Sequence, residues 1–574
     1  MSDDRRPADS YDVAILGGGL AGLTLGLQLK QERPETSIFI ADKAAGPARE
    51  AAHKVGESTQ EISCHYFGEV LGLVDHLEQE QIHKCGLRFW FPAGDNSDLA
   101  QRVERGPHKH PPVPSYQLDR GRFENFLVDR CLEAGVDHFR GRFIQDVEIG
   151  GDHHQVTSTT RDGDTVTSQA RWVVDASGRA FTLKKKLGLL EDNGHAVNSC
   201  WFRLGGGLDI EDWVDPSDEE WFGRMEERGL RRLSTNHICG QGYWVWLIPL
   251  SSGPISIGIV ADPCFHPWEQ INTLEGAIEW IKQHEPQLGE DLEGRRDQIE
   301  DFLKIEHFSH NSKQAFSGSE RWALVGEAGP FLDPFYSPGS DYIAMANMFT
   351  TDMITRELDG EDVTERAEAH NDFYLNAFSV HLSFYEGQYE FWHNPLVMNV
   401  KIGGNNILYW GSLGLLFFHR KLADVEFMAA VRPDIERIWA VTRRLEEMYR
   451  EWNAIEDREW TRAMVPTAAF PAMFERHLDM VGGFDDETLK QKLASTADLM
   501  EAYAVLAFHR AATALPGGAP GEHEKINPYK VSLDPDRWEA DGLLGGEGLS
   551  VTEARQTPAA GMENLFMEAI AQPA

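Results

Sequence analysis

The chain is poor in paired cysteines, in positive charge and in long apolar runs. Its six cysteines form no Cys-x-x-Cys pair, so neither a disulfide framework nor a cysteine-based zinc site is predicted. They are Cys64, Cys85, Cys131, Cys200, Cys239 and Cys264. There are 54 Lys and Arg residues against 92 Asp and Glu, and the net charge of −38 argues against nucleic acid or an anionic membrane as a partner.

The scarcity of long apolar runs bears on location. The longest, Ile402 to Phe418, is short for a membrane span and is broken by glycine and asparagine, so we predict a buried helix there and no membrane span. The first residues, MSDDRRPADS, are polar and lack the apolar centre of a secretory signal. We therefore expect a cytoplasmic, reduced protein with no metal site.

Size and composition favour a globular protein with a large core. The chain has 574 residues, of which 41% are hydrophobic and 25% charged, enough for one large domain or two to three ordinary ones. Alternating or apolar runs predict strands at 84–91, 171–175, 243–250 and 254–262. From residue 341 to about 512, apolar and aromatic residues recur mostly at helical spacing, which predicts a helical region.

Residues 11–43 read as a strand, a glycine turn, a helix and a second strand. Gly17, Gly19 and Gly22 fit G-x-G-x-x-G, and Asp42 follows Gly22 by twenty residues. The glycines let the backbone approach a pyrophosphate, and the helix N-terminus faces its negative charge. Asp42 can accept hydrogen bonds from a ribose, so we predict a dinucleotide-binding βαβ unit.

Three further segments narrow the dinucleotide to FAD. DASGR (175–179) and VGEAG (325–329) each end an apolar strand at a small-residue turn, and YQLDRGRF (116–123) leads into a helix. Together they resemble the flavoprotein monooxygenase superfamily, whose fold is like that of p-hydroxybenzoate hydroxylase. The resemblance implies that Glu327, which replaces the family's Asp, holds the FAD ribityl and pyrophosphate, and that Arg120 contacts the FAD.

Three strings are similar to those of the flavin-dependent halogenases. They are KVGEST (54–59), WVWLIP (244–249) and FLDPFYSPG (331–339), which fit the family's motifs in order. The resemblance covers roughly residues 11–350. It implies further cofactor contacts at Glu57, Ser58, Thr59, Pro334, Gly339 and Ser340. The segment KCGLRFWF resembles the one that carries the family's catalytic lysine, with Lys84 in the leading place.

The same resemblance implies an architecture. We expect an α/β fold with a Rossmann-like FAD-binding domain, interleaved with a β-sheet substrate domain, over residues 1–350. The sheet segments fall at about 84–110 and 195–300. A helical C-terminal domain follows over 351–515, and a Gly/Pro/Glu-rich tail, 516–574, is expected to be loosely packed.

The resemblance also implies a reaction. A separate flavin reductase supplies FADH2, which reacts with O2 to give a C4a-hydroperoxide, and chloride or bromide attacks its distal oxygen. The hypohalous acid passes through a tunnel to Lys84, which presents it to an aromatic carbon. Lys84 either donates a hydrogen bond to the hypohalous acid or, if burial lowers its pKa, becomes an N-haloamine.

The turn before the helix at residue 341 is predicted to hold the flavin and the halide. Ser340 is the expected N-cap, and the N–H groups of Ser337, Gly339 and Ser340 are expected to face these ligands. Pro338 removes one further donor from this site. The loss of one donor to an anion costs about 1.5–3 kcal/mol, which weakens chloride binding, favours bromide, or turns the enzyme to hydroxylation.

Tyr336 bears on the substrate, and with Lys84 and Ser337 it completes the predicted catalytic set. The tryptophan-acting members of the family carry an acid at the place of Tyr336. A tyrosine with a pKa near 10 cannot serve as the carboxylate that stabilises a cationic ring. We therefore expect a small, electron-rich aromatic substrate such as a phenol or a pyrrole, free or tethered to a carrier protein.

Two alternatives stay open. The chain could be a flavin-dependent monooxygenase (hydroxylase) or reductase on the same fold. It could also be an FAD-binding protein without chemistry of its own, whose aromatic-rich segments 373–391 and 402–418 dock a carrier protein or another enzyme. The sequence leaves the oligomeric state open, a homodimer included.

Overall fold

A mostly parallel sheet forms where the apolar runs of the first third of the chain line up. The computed structural model describes residues 7–51 and 54–567, so the first six residues of the polar N-terminal segment lie outside it. This nucleotide-binding sheet is built of eight strands. In spatial order they are Phe316–Ser317, Trp322–Leu324, Thr165–Asp175, Ser10–Leu16, Ile38–Asp42 and Asp137–Arg140, with the hairpin Arg142–Glu148 and His154–Thr160 beside the third.

The centre of this sheet is the predicted βαβ unit. Ser10–Leu16 pairs in parallel with Ile38–Asp42 on one side and with Thr165–Asp175 on the other. The crossover helix Leu20–Glu32 begins directly after the glycine turn. Because the carboxyl ends of parallel strands share one edge, the turns after Leu16 and Asp175 come together there.

A second sheet, also of eight strands, is mostly antiparallel. In spatial order its strands are Leu303–Ile305, Asn198–Leu204, Ile255–Ala261, Tyr243–Pro249, Thr235–Gly240, Leu87–Phe91, Val103–Gly106 and Met464–Pro466. The last strand comes from the region that was predicted to be helical. The predicted pairing of a nucleotide-binding sheet with an interleaved second sheet is thus confirmed, although the C-terminal region completes the edge of the latter.

Helices cover both sheets and make up most of the C-terminal region. The α-helices are Leu20–Glu32, Glu61–His65, Val74–Glu80, Arg120–Glu133, Thr182–Lys186, Glu219–Phe222, Trp268–Ile271, Leu274–His284, Pro286–Glu293, Gly339–Leu358, Thr364–Leu382, Pro395–Leu408, Leu415–Phe418, Val425–Asn453, Pro471–Asp479, Asp486–Ala512 and Val551–Ala554. Two π-helical turns, Tyr66–Val70 and Tyr409–Gly414, interrupt them. Within the described residues, no helix combines the length and apolar content that crossing a bilayer requires.

The expectation of a loosely packed tail is wrong for the described part of 516–574. Apolar side chains of this segment are buried against the C-terminal helices, although Gly and Pro dominate the loops between them. They include Ile526, Val531, Leu543, Val551, Met562 and Leu565. Burial of such side chains stabilises by about 1.5–3 kcal/mol each, so the segment is an integral part of the fold.

Candidate active site

Two cavities lie on either side of the predicted flavin loop. The larger, of about 680 Å³, lies between the nucleotide motif and the second sheet. The smaller, of about 170 Å³, lies between the second sheet and the C-terminal helices. Pro338 and Tyr342 line both cavities. The segment 336–342 is therefore the wall that divides them.

The three motif glycines meet different steric needs at the larger cavity. Gly17 has a φ of +128°, and a Cβ there would lie 2.3 Å from the carbonyl oxygen of Ala176. A Cβ on Gly22 would lie 2.1 Å from the carbonyl oxygen of Gly17, so this glycine permits close packing of helix and turn and does not line the cavity. A Cβ on Gly19 would meet nothing within 4 Å. The space at Gly19 and the helix N-terminus behind it fit a pyrophosphate.

Charged groups lie further along the larger cavity, which is lined by Asp42, Arg120 and Glu327. Burial acts to raise the pKa of Asp42, but His138 and the N–H of Ala44 outweigh burial and lower it. Burial raises the pKa of Glu327, against the opposing effect of nearby arginines. Asp42 is thus held ionised, as an acceptor for ribose hydroxyls has to be.

Glu57 also lines the larger cavity, but protein partners already bind its carboxyl oxygens. It forms a buried ion pair with Arg203 and accepts a hydrogen bond of 3.1 Å from the hydroxyl of Ser256. Burial raises the pKa of Glu57 even so. The pair fixes the segment 54–59 to the second sheet, and Trp244, Trp246 and Ile248 of that sheet form the adjoining apolar wall.

The loop 331–338 is held by a buried carboxylate. Asp333 accepts hydrogen bonds from the N–H of Phe335 at 3.0 Å and from the hydroxyl of Tyr389 at 2.5 Å. Its second oxygen also lies 2.8 Å from Nε2 of His195. Pro334 lines the larger cavity, and its carbonyl accepts the N–H of Ser337 at 2.8 Å. The expectation that the Ser337 N–H faces a ligand is therefore wrong.

The helix after the loop begins earlier than predicted. It starts at Gly339 with Pro338 as N-cap, so Ser340 is a first-turn residue and not the N-cap. A proline is well tolerated at this point because a helix start leaves its N–H groups without partners in any case. The first-turn N–H groups of Gly339 and Ser340 have no carbonyl one turn back, and both residues line the larger cavity. They are the donors that remain for an anion or a flavin carbonyl.

Lys84 is fully buried and lines neither cavity, but its hydrogen-bond partners Ser58 and Gln60 line the larger and the smaller cavity respectively. Its Nζ donates to Oγ of Ser58 at 2.9 Å and to the carbonyl of Thr59 at 2.6 Å. Burial lowers the pKa of Lys84 to about 8, although Glu61, among other nearby groups, acts to raise it. The predicted strand face with Lys84 at its head is wrong, because Gly86 adopts a φ of +61° and the strand begins only at Leu87.

Ser58 links Lys84 to the flavin loop. The hydroxyl of Ser337 donates to Oγ of Ser58 at 2.9 Å, as does the Lys84 amine. With both acceptor positions of Ser58 used, its own proton goes to Oγ1 of Thr235 at 2.6 Å. Thr59 lies behind this link, and its hydroxyl donates to the carbonyl of Tyr116. Thr59 does not line the larger cavity, so a direct cofactor contact is not borne out for it.

The smaller cavity contains more than the predicted tyrosine. Tyr336 lines it and accepts a hydrogen bond of 3.3 Å from the amide of Asn405, and burial raises the pKa of Tyr336. Glu61 and Asp341 line the same cavity, and burial raises the pKa of both carboxyl groups, that of Asp341 to about 7. Glu61 and Asp341 could therefore supply the carboxyl group that Tyr336 cannot, so Tyr336 alone does not establish the expected electron-rich substrate.

Sequence patterns gave little sign of the other residues around the smaller cavity. Glu61 stands two residues past the KVGEST string, which is the one signal that could have found it. Asp341 accepts from the N–H of Ser63 at 2.9 Å and from the hydroxyl of Tyr409 at 2.7 Å, and the latter belongs to the π-helical turn. Among the described residues, no grouping of three or more His, Cys, Asp or Glu side chains could hold a metal ion.

Comparisons with known proteins agree with this geometry. The family model described as "Lycopene cyclase protein" matches residues 12–199. The chain is 29% identical over 400 residues to the flavin-dependent halogenase chlA of Dictyostelium discoideum, a match that covers 64% of this chain and 64% of that relative. It is 23% identical over 473 residues to the 1H-pyrrole-2-carbonyl-(peptidyl-carrier protein) chlorinase of Pseudomonas fluorescens, covering 75% of this chain and 95% of that protein.

A solved structure shares the fold. The crystal structure of halogenase PltM in complex with phloroglucinol and FAD superposes with a TM-score of 0.59 at 17% identity, over 86% of this chain and 96% of that one. In this chain the F-x-x-P-x-x-S-x-G loop divides two cavities, and Lys84 is buried beside it. The chain is thus similar in sequence to flavin-dependent halogenases and shares the fold of one of them.

Proposed function

We propose that the protein halogenates an electron-rich aromatic ring with reduced FAD, O2 and a halide. One observation carries the proposal. Lys84 is buried between the two cavities and is joined through Ser58 to Ser337 of the dividing loop. An oxidant formed in the larger cavity and a ring bound in the smaller one therefore both come near the same amine.

The larger cavity fits FAD. The space beside Gly19 and the first turn of its helix suit the pyrophosphate, and Asp42 suits the ribose of the adenosine half. Arg120 and Glu327 lie further along the cavity, and the N–H groups of Gly339 and Ser340 are available to a flavin carbonyl or a halide. When bound, reduced FAD would give O2 two of the four electrons that it takes up, and the halide would give the other two as it is oxidised to the level of hypohalous acid.

The overall reaction balances with one oxidant and one reductant. An aromatic C–H, a halide ion, a proton, O2 and FADH2 give the aryl halide, FAD and two molecules of water. The halide and FADH2 each lose two electrons, and O2 gains four. Because the reductant is consumed stoichiometrically, we also propose a separate flavin reductase as partner.

Lys84 is proposed to hold the hypohalous acid and direct it at the ring. As an ammonium it has three N–H donors, and the two shortest contacts, to Ser58 and Thr59, use two of them. The third makes a longer contact of 3.4 Å to Oε1 of Gln60, which lines the smaller cavity, and the hypohalous oxygen would replace this contact. Glu61 and Asp341 lie in the same cavity with raised pKa values, so either can take up the proton that the ring releases.

We propose a phenol- or pyrrole-like substrate, free or tethered to a carrier protein. Tyr336 stays neutral because burial raises its pKa, so it offers a hydrogen bond and no charge to the ring. An electron-rich ring needs less stabilisation of its cationic intermediate by a neighbouring charge than an unactivated ring does. Tethered pyrroles are named for the Pseudomonas relative and a phenol for the PltM structure, which supports both classes.

Pro338 supports a second candidate, hydroxylation on the same scaffold. It lines both cavities and cannot donate an N–H to a halide. Transfer of oxygen to the ring in place of halogen would need no halide site.

The test is a turnover assay with mass detection. Purified protein is supplied with FAD, a flavin reductase, O2, bromide or chloride, and a panel of phenols and pyrroles. A halogen isotope pattern in the product is expected, whereas an added oxygen supports hydroxylation. Protein that binds FAD and a carrier protein without converting any substrate would favour the non-catalytic alternative.

Two lysine variants sharpen the test. Lys84→Met is expected to abolish halogenation while hydrogen peroxide release continues, since the flavin site is left intact. Lys184→Met is the matched control: Lys184 is also buried, but its Nζ contacts the carbonyl of Gly329 and Nδ1 of His310, away from the Ser58 link. Halogenation that survives Lys84→Met would refute the role given to this lysine.

A further inference from the structure

A buried arginine on the wall of the smaller cavity has no acidic partner. Arg105 lies on the strand Val103–Gly106, directly opposite Phe89 of the neighbouring strand, and both side chains line the cavity. The residue is 2% exposed. Directly opposed residues of two antiparallel strands point to the same face, so Arg105 and the aromatic ring of Phe89 present one surface to a ligand.

The guanidinium of Arg105 is only partly satisfied by the protein. Its Nη1 donates to Oδ1 of Asn399 at 3.2 Å, and its buried Nη2 has no hydrogen-bond acceptor. Within residues 7–51 and 54–567, no carboxylate oxygen lies within 4 Å of it. The adjacent acid, Glu104, points to the opposite face of the strand, where Arg88 and Arg231 bind it.

Other buried arginines of the protein are treated differently. Each of four forms an ion pair with a buried glutamate: Arg88 and Arg231 with Glu104, Arg102 with Glu285, and Arg203 with Glu57. Burial of a cation without such a partner is costly, by several kcal/mol as an order of magnitude. Arg105 differs from these four arginines because it forms no such ion pair and faces a cavity. Its missing partner is therefore a ligand rather than a neighbouring side chain.

Lys84 and Arg105 also differ in the ionisable groups that surround them. Glu61 and Asp341 act on Lys84, whereas the ionisable groups that act on Arg105 are the hydroxyls of Tyr336 and Tyr503. Carboxyl groups thus compete with an anionic substituent for the charge of Lys84, whereas none competes for that of Arg105. The planar guanidinium fork fits a carboxylate or a phenolate oxygen.

We propose that Arg105 binds an anionic oxygen of the substrate, a carboxylate or an ionised phenol, and thereby decides which ring carbon faces Lys84. The inference rests on the proposed function in so far as the ligand is the aromatic substrate. It narrows that substrate to rings that carry a negative charge. In a cavity of about 170 Å³, the substrate is a single small ring.

Equilibrium binding to oxidised, FAD-loaded protein tests the proposal without turnover. The probes are 2,4-dihydroxybenzoate and its methyl ester, measured by titration calorimetry. The wild type is expected to bind the acid roughly ten-fold more tightly or better, as a charge-assisted contact with arginine allows. Arg105→Gln is expected to abolish the preference, and Arg105→Lys to keep part of it.

A second titration distinguishes a carboxylate from a phenolate as the anionic group that Arg105 binds. A phenol acidified by a nitrile group is titrated below and above its own pKa. Tighter binding of the ionised phenol, lost in Arg105→Gln, assigns the site to phenolates as well as carboxylates. Preference for the benzoate alone assigns it to carboxylates.

Controls keep the result decisive. Unchanged affinity for the ester, and unchanged FAD content, establish that Arg105→Gln has kept the pocket. Equal affinity of the wild type for acid and ester, with no preference for the ionised phenol, overturns the proposal, as does a preference that survives in Arg105→Gln. Failure of the proposed function is seen separately, because it leaves the binding preference in place and yields no halogenated product.

Discussion

The lowered pKa of Lys84 makes the lysine-dependent step sensitive to pH near neutrality. An ordinary lysine has a pKa of 10.5, and burial lowers that of Lys84 to about 8. This difference corresponds to about 3 kcal/mol in favour of the neutral amine. About nine-tenths of the lysine is then protonated at pH 7 and about one-tenth at pH 9. If the ammonium donates to hypohalous acid, halogenation will fall roughly ten-fold between these two values.

The assay measures halogenated product and hydrogen peroxide together over pH 6.5 to 9.5, with a methoxybenzoate, whose negative charge does not change over that range. The ratio of product to peroxide separates the lysine-dependent step from the pH dependence of the flavin chemistry. The latter is measured by itself as peroxide release from Lys84→Met. A ratio that rises through pH 8 would indicate the neutral amine and an N-haloamine instead. A ratio that stays flat up to pH 9.5, as for a lysine with an ordinary pKa, would refute the reasoning from burial.

Three further outcomes are expected. Gly22→Ala will prevent stable folding, because the new Cβ would lie 2.1 Å from the carbonyl oxygen of Gly17; a normal thermal melt would contradict this. Glu57→Gln will cost about 3–5 kcal/mol in chemical denaturation by leaving Arg203 buried without its partner, and a loss below 1 kcal/mol would speak against that pair. Asp341 has its pKa raised from 3.8 to about 7, so the unfolded chain loses this proton first and stability falls as pH rises through that range. Asp341→Asn will flatten this fall in thermal melts, and an unchanged slope would assign it to other groups.

The parts of the fold that depend on local rules could be predicted from the sequence. The glycine turn follows from steric needs that act within a few residues, and the structure places Gly17 and Gly22 where a Cβ cannot fit. The helix was predicted to start two residues too late, with Ser340 in place of Pro338 as N-cap, because proline and serine both suit a helix start. The strand after Lys84 was predicted three residues too long, since alternation alone does not show that Gly86 turns the chain.

Contacts between side chains on different strands and helices could not be predicted from the sequence. Whether Arg105 lacks a partner depends on Glu104 pointing to the other face of its strand, toward arginines far along the chain. The tail was misjudged for a similar reason. Its Gly- and Pro-rich loops resemble a loose segment, and only the assembled helices provide the groove that buries residues such as Ile526 and Leu565.

If the protein halogenates as proposed, the dividing wall would let it form a strong oxidant and still direct that oxidant to one bound ring. Pro338 and Tyr342 separate the cavities, and the Ser337–Ser58–Lys84 hydrogen bonds form a polar link between the flavin loop and the buried lysine. An oxidant on the larger side meets apolar tryptophans that offer no charge, and at the loop it meets hydroxyls and then a partly protonated amine. Under the proposed function, this polar link would direct the oxidant toward Lys84, and the dividing segment would keep the ring apart from the flavin.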